Sequence, residues 1–513
     1  MAAELHTSSL VRIGCVDKGG IFMTMFRSAI LLTAVNLLLR FVGTSFQVFL
    51  SSRIGAAGIG LLQLTMSVGS MAMVAGMGGI RTATMYLCAG ELGKKKPRNI
   101  TWVLSGCFVY SIIFSGTVAL FLYHFAPFIA QNWIGDVRTV PSLRLFAAFL
   151  PCTCLCGVMT GYFTAAKRIG TLAAVEVAEQ LASMAITMTA LTLWAGTDPG
   201  RACLSVILGS SLGAILTLVC LVVLRLRERP ESGPRIPVAS SICRTALPLA
   251  VADDLRTGIV TVENLMVPKR LALNAAVANP LAAFGTLSGM VFPVLMFPAC
   301  ILFGLAELLI PELARCQAAD SRLRISYLMK RSLKMAMLYG VFFAGLLFLL
   351  SERLCMQLYR SPEAGQMLKL YAILIPMLYC DAITDAMIKG LGQQTVSVRY
   401  NIFTNILDVV FLYLLLPEYG MCGYFFSFLV THVINFGLSL RRLLIITGEH
   451  IPLHIPLLTL SAGIGAAWGA SLLPGSTGRL LAFPLLLLCS LYLLGIVRKE
   501  DIHWVSGLMH PKK

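Results

Sequence analysis

The sequence predicts an all-α polytopic membrane protein of about fourteen transmembrane helices: two six-helix lobes in direct repeat plus a C-terminal helix pair. Three observations carry this. First, 57% of the 513 residues are hydrophobic and only 13% charged, with mean hydropathy +0.82; soluble chains carry about 25% charged residues. Second, apolar stretches long enough to cross about 30 Å of hydrocarbon recur along the whole chain. Third, Arg40 and Arg53 recur as Arg256 and Lys269, both at an offset of 216, and Leu31, Ala34 and Val35 fall on Leu247, Ala250 and Val251 without a gap. An arginine among leucines costs roughly 3 kcal/mol or more at the bilayer centre. A chain that bears this cost at two matching places reads as a duplicated machine with a polar interior.

In order, the spans fall at 28–50, 58–88, 100–124, 140–165, 170–194, 202–224, 243–266, 281–310, 331–351, 365–388, 396–416, 421–440, 455–473 and 480–497. Loop charge then sets orientation. With the N-terminus inside, inner segments hold 28 Lys or Arg and outer loops 9, and Arg40, Arg81, Arg144 and Arg256 lie within spans. Fourteen helices with both termini cytoplasmic are expected. The net charge of +17 therefore points to loop topology and not to nucleic acid.

The second half of each lobe repeats too. LRLFAAFLP, ending at Pro151, matches LKLYAILIP, ending at Pro376, at an offset of 225, the extra residues entering around loop 267–280. The expected division is a cytoplasmic segment 1–20, an N-lobe 21–227, a linker 228–240, a C-lobe 241–446, and a helix pair with tail at 447–513. Two parallel copies of six spans place a substrate site at their interface. Residues 1–20 contain charges and no apolar core of adequate length, so no secretory signal is expected. The 15 cysteines follow no framework spacing and read as small apolar residues, with neither disulfide, metal nor cofactor expected.

Polar residues within spans form stripes. Asn36, Arg40, Gly43 and Gln47 share one face of the first helix, and Asp253, Arg256 and Glu263 share one face of the seventh. Gln47 maps on Glu263 at the 216 offset, and Glu176, Gln180 and Ser183 map on Asn401, Asn405 and Asp408 at the 225 offset. Interhelical hydrogen bonding accounts for Asn, Gln and Ser equally well. It does not need the full charge of Arg40 or Arg256. On the tenth helix Asp385 and Lys389 are spaced to neutralise each other, and Asp381 lacks a neighbour in sequence. The substrate-cleft candidates are Arg40, Arg256, Asn36, Gln47 and Arg81; the ion-coupling candidates are Asp253, Glu263, Asp381 and Asp408.

The runs LLRFVGTSFQVFLSSRIGAAGIGLLQL (38–64), GTLSGMVFPVLMFPACILFGLAELLIPELA (285–314) and IKGLGQQ (388–394) resemble the stage V sporulation protein B group. That group lies in the polysaccharide-transporter branch of the multidrug/oligosaccharidyl-lipid/polysaccharide (MOP) flippase superfamily. The resemblance implies a V-shaped pair of lobes, alternating access, no enzymatic chemistry, and a lipid-linked glycan or cell-wall precursor as cargo. It also implies a bacterial cell membrane location and, by likeness to lipid II flippases, a cationic cavity to which Arg40 and Arg256 belong. Gln47 departs from a basic residue usual in relatives, and Arg81 follows Gly78-Gly79-Ile80 where relatives usually have Pro.

The expected function is export of an undecaprenyl-type lipid-linked oligosaccharide by a monomer in contact with membrane lipids, with H+ or Na+ coupling. Alternatives are a cation-coupled multidrug antiporter, which favours twelve helices and acidic cavities, and a non-transporting envelope scaffold, which would not need polar stripes.

Overall fold

A computed structural model describes residues 18–93, 97–195, 198–228, 238–450, 452 and 454–497, with side chains from Leu37 onward. Among the described residues there is no strand, and fourteen helices account for the chain. Glycine makes two of the divisions. The Lys18–Met77 helix breaks at Gly55 (φ 68°, ψ 179°) into α1 (18–54) and α2 (56–77). The Gln394–Thr447 helix breaks at Gly420 (φ 55°, ψ −132°) into α11 (394–419) and α12 (421–447). Only a residue without a Cβ enters these conformations cheaply.

The remaining helices are α3 (Ile100–Phe128), α4 (Val140–Ala165), α5 (Ile169–Ala190), α6 (Pro199–Arg227) and α7 (Ala239–Leu271). They continue with α8 (Pro280–Met296 and Ala299–Ala318), α9 (Arg322–Tyr359), α10 (Pro362–Ala372 and Ile375–Gly390), α13 (His454–Ser471) and α14 (Ser476–Leu493). The sequence suggested one span each for α8 and α10. Instead α8 bends by 63° and α10 by 58°. Proline explains both, because its ring collides with the carbonyl four residues earlier and removes a backbone donor. Pro298 and Pro376 place that collision at Val294 and Ala372, where the first segments end. Similarly, α2 is interrupted at Gly78 and Gly79 (φ 48° and 69°) before resuming over Ile80–Gly93.

Within the first six helices, α3 packs on α4, α5 on α6 and α4 on α6; within the next six, α9 packs on α10, the second segment of α8 on α10, and α10 on α11–α12. The first half meets the second where α1–α2 lies against α7 and the start of α8. Gly60 and Gly285, repeat mates at the 225 offset, make this contact backbone to backbone. A Cβ on Gly60 would stand 2.2 Å from the Leu281 oxygen, and one on Gly285 would stand 2.0 Å from the Ala56 oxygen. The C-terminal pair rides on α9, with the Phe483 ring seated over Gly345 and Gly463 against Val341.

The end of the bundle that carries the basic segments is tied by charge. Glu228 accepts from Tyr162 at 2.9 Å, pairs with Arg225 at 2.6 Å and also pairs with Arg168, joining the ends of α4 and α6. Lys330 pairs with Glu449 at 2.6 Å, joining α9 to the end of α12; that hydrogen bond holds the Glu449 carboxyl below the usual carboxylate range.

Gly285→Val should force α8 off α2. Overpacking of this kind costs about 1–3 kcal/mol, so the expected outcome is a lower melting temperature in detergent than wild type, measured by tryptophan fluorescence. Gly437→Val is the control, since a Cβ there meets nothing within 4 Å.

Candidate functional site

The two arginines lie at one depth. Arg40 is fourteen residues from the far end of α1 and Arg256 fifteen from the far end of α7. At 1.5 Å per residue both stand about 21–23 Å from that end, near mid-membrane. Both are exposed, and neither makes an ion pair or a hydrogen bond among the described residues. Arg40 lies within electrostatic range of Cys300 of α8, and its neighbour Phe41 meets Phe297 edge-on at 6.5 Å. Arg256 lies between two points that pin α7 to α2. At one, Gly79 abuts the Ala246 oxygen and the Ala250 nitrogen; at the other, Thr261 donates to the Ser67 carbonyl at 3.2 Å and Asn264 to the Ser67 hydroxyl at 3.0 Å.

The other cleft candidates divide. Gln47 donates to the Gly289 carbonyl at 3.1 Å and so clasps α1 to α8. Arg81 is exposed and faces Glu176 of α5 within electrostatic range. The Asn36 side chain lies outside the described residues. The second cation of each repeated pair is a helix-end residue: Arg53 lies over the Phe49 ring at 5.6 Å, and Lys269 donates to the Asn132 carbonyl.

Two coupling candidates that stand 145 positions apart in the chain meet. Glu263 of α7 and Asp408 of α11 are within side-chain hydrogen-bonding contact. Asp408 is buried and also receives the hydroxyls of Ser427 (2.5 Å) and Thr431 (3.3 Å) from α12. The phenols of Tyr371 and Tyr424 are near enough to interact with Asp408, Tyr424 with Glu263 as well, and the Tyr371 hydroxyl is buried without a hydrogen-bond partner. Sequence reasoning named the two carboxyls and missed the four hydroxyls. The signal was present in α12, where Ser427, Thr431 and Asn435 recur every four residues in an otherwise apolar helix.

Asp381 stands apart from the pair. Its Oδ2 accepts from Asn435 at 3.0 Å, and its Oδ1 is buried with no partner. Asp385 and Lys389 are paired at 2.6 Å, as their spacing suggested. Asp253 is exposed on α7. No group of three or more His, Cys, Asp or Glu side chains converges among the described residues.

Comparison with known proteins agrees with the fold. Residues 32–195 match the MatE family model. The chain is 22% identical over 421 residues to stage V sporulation protein B of Bacillus subtilis (strain 168), covering 78% of this chain and 80% of that relative. An inward-facing multidrug resistance MATE family transporter superposes with TM-score 0.65 at 12% identity, covering 82% of this chain and 100% of its own. The lipid II flippase MurJ, in an inward closed conformation, superposes with TM-score 0.64 at 13% identity, covering 91% of this chain and 100% of its own. With a MatE match over residues 32–195 and similarity to stage V sporulation protein B over most of its length, the chain has the helical fold of the multi-pass membrane transporters it superposes on.

Proposed function

We propose that the protein flips a lipid-linked glycan carrying a pyrophosphate across a bacterial cell membrane by alternating access, with Arg40 and Arg256 as the anion clamp. One observation carries the reading: two exposed arginines, with no ion pair or hydrogen bond among the described residues, sit at matching positions along repeat-related helices. A guanidinium without a carboxylate partner attracts an anion, and its planar fork of donors fits phosphate oxygens. Arg81 adds positive charge on α2. The polyprenyl tail stays in lipid while the headgroup crosses a wet cleft, so no covalent step is required. The names of two relatives support the substrate class, one a lipid II flippase and one a sporulation protein.

Loop charge supports a cytoplasmic placement of the basic end and of both termini. The Gly60–Gly285 contact then closes the outer end, and opening that end requires these two backbones to part. Glu263 and Asp408 supply the driving force in this reading. Two carboxyls in side-chain hydrogen-bonding contact, one of them also holding the Ser427 and Thr431 hydroxyls, form a site for one monovalent cation, a proton or Na+. Moving one such charge across the membrane contributes about 2.3 kcal/mol per 100 mV. The protein acts as a monomer.

The rival reading, a cation-coupled drug antiporter, draws on the same carboxyl pair. The arginines distinguish the two. In reconstituted vesicles Arg40→Ala and Arg256→Ala should each lower glycolipid translocation at least tenfold, the loss of one charge-assisted contact pair, with expression unchanged. Unchanged flipping would remove the clamp, and efflux of an organic cation that persists in the double variant would favour the antiporter.

The coupling site has its own readout. Glu263→Gln and Asp408→Asn should each abolish stimulation of transport by an imposed Na+ or pH gradient, measured in the same vesicles. A variant that keeps the wild-type response to both gradients would show that the pair is structural.

A further inference from the structure

A cavity of about 190 Å³ lies inside the second lobe, between α8, α10, α11 and α12. It opens beside the bend of α8, where Met296, Ala299, Leu302 and Phe303 form an apolar wall. The opposite wall is polar, with Asp381 and Asp385 from α10, Asn401 from α11, and His432 and Asn435 from α12. A volume of this size holds several waters, since one water needs only about 10–15 Å³ of such space.

The charges in that wall do not balance. Lys389 neutralises Asp385 at 2.6 Å, and Ser397 donates to the same carboxylate. Asp381 makes no ion pair among the described residues and has Lys389, already paired with Asp385, only within electrostatic range: Asn435 holds one oxygen, and the other has no partner. A wet cavity with one uncompensated carboxylate suits a monovalent cation. It is a poor site for Ca2+, which takes six to eight oxygen ligands and usually several carboxylates.

The position of the cavity gives it a role. Asp385 and Lys389 lie close to the end of α10 at the basic face of the bundle, so one side of the cavity points there. The other side faces toward the coupling pair through His432 and Asn435. His432 lies within electrostatic range of Asp408, stacks on Phe428 at 3.9 Å, and its Nδ1 is 2.9 Å from the Phe428 carbonyl. That contact with an acceptor leaves Nε2 as the second polar atom of the ring. Asn435 lies in the same wall, donating to Asp381 on one side and accepting from Thr404, one turn before Asp408, at 3.5 Å on the other.

We propose that this cavity is a vestibule through which the coupling cation passes between the basic face and the Glu263–Asp408 pair, with Asp381 as the intermediate station. The inference rests on the coupling role given to the pair above. It adds the route, the face of entry and a second station that belongs to neither the arginine cleft nor the carboxyl pair.

The test uses the full chain in vesicles, with transport measured against Na+ at fixed pH and against pH at fixed Na+, so that the two arms identify the ion. Asp381→Asn removes the charge at constant shape, and Ala382→Phe narrows the cavity without touching a polar group. Both should raise the cation concentration for half-maximal transport about tenfold in the arm that drives wild type. Asp381→Glu, which restores the charge, should recover most of the shift. A coupled wild type in which Asp381→Asn and Ala382→Phe leave that concentration unchanged overturns the route and leaves the carboxyl pair standing. A wild type indifferent to both cations removes the coupling reading, and the vestibule with it.

Discussion

The arrangement of this molecule depends on one backbone contact, that of Gly60 with Gly285. Helices in a membrane gain nothing from hiding apolar side chains from water, so they associate through close packing and interhelical hydrogen bonds. Small residues permit that closeness. Here the two glycines are repeat mates, so the tightest contact between the lobes falls where the sequence itself is duplicated. Neighbouring contacts follow from it. Ile59 packs into Gly289, Gln47 reaches the Gly289 carbonyl, and α7 lies along α2 from Ala246 to Asn264. Around these contacts Ile59, Leu61 and Leu64 join Phe284, Leu287 and Val291 in one buried cluster that runs across both halves.

Symmetry and asymmetry are divided along the chain in a way that suits transport. The arginines are symmetric in sequence and in depth. The carboxyls are not: Glu263 corresponds to Gln47, and Asp408 to Ser183. Gln47 uses its amide to clasp α8, whereas Glu263 meets Asp408 within its own half of the molecule. Ser183 spends its backbone oxygen on Thr187, four residues on in α5. The Gln47 face of α1 therefore joins the two halves, whereas its repeat mate on α7 joins a charged site within one half.

Much of this was legible in the sequence, because burying charge in hydrocarbon is costly enough to leave few explanations. Apolar length gave the helix number, and the chain reversals at Gly55 and Gly420 fall between the spans read from it. The pairing of Asp385 with Lys389 also followed from spacing alone. Distances across the bundle did not. Nothing in α7 and α11 taken singly says that Glu263 and Asp408 face each other, since a helical face fixes direction only relative to its own axis. The bends at Pro298 and Pro376 were hidden for a different reason. Membrane helices tolerate proline when neighbours satisfy the freed carbonyls, so Pro151 and Pro311 stand inside continuous helices while Pro298 and Pro376 mark breaks.

Those two breaks bear on how binding and coupling communicate. Arg40 lies within electrostatic range of Cys300, two residues past the α8 bend, and the same bend forms the apolar wall of the vestibule through Met296 and Ala299. The Tyr339 hydroxyl donates to the Pro298 carbonyl at 2.7 Å, and Tyr379 of α10 donates to the Leu295 carbonyl at 3.1 Å. The backbone around the bend is thus satisfied partly by side chains of α9 and α10, beside its own longer Phe297–Val294, Cys300–Phe297 and Ile301–Pro298 bonds of 3.3–3.4 Å. A hinge held this way swings at the cost of one or two hydrogen bonds, each worth about 0.5–1.5 kcal/mol net. That is of the same order as the roughly 2.3 kcal/mol a single charge gains from 100 mV of membrane potential. In the proposed mechanism, an ion at Asp381 or Asp408 and an anion at Arg40 would therefore act on one shared element, the α8 bend.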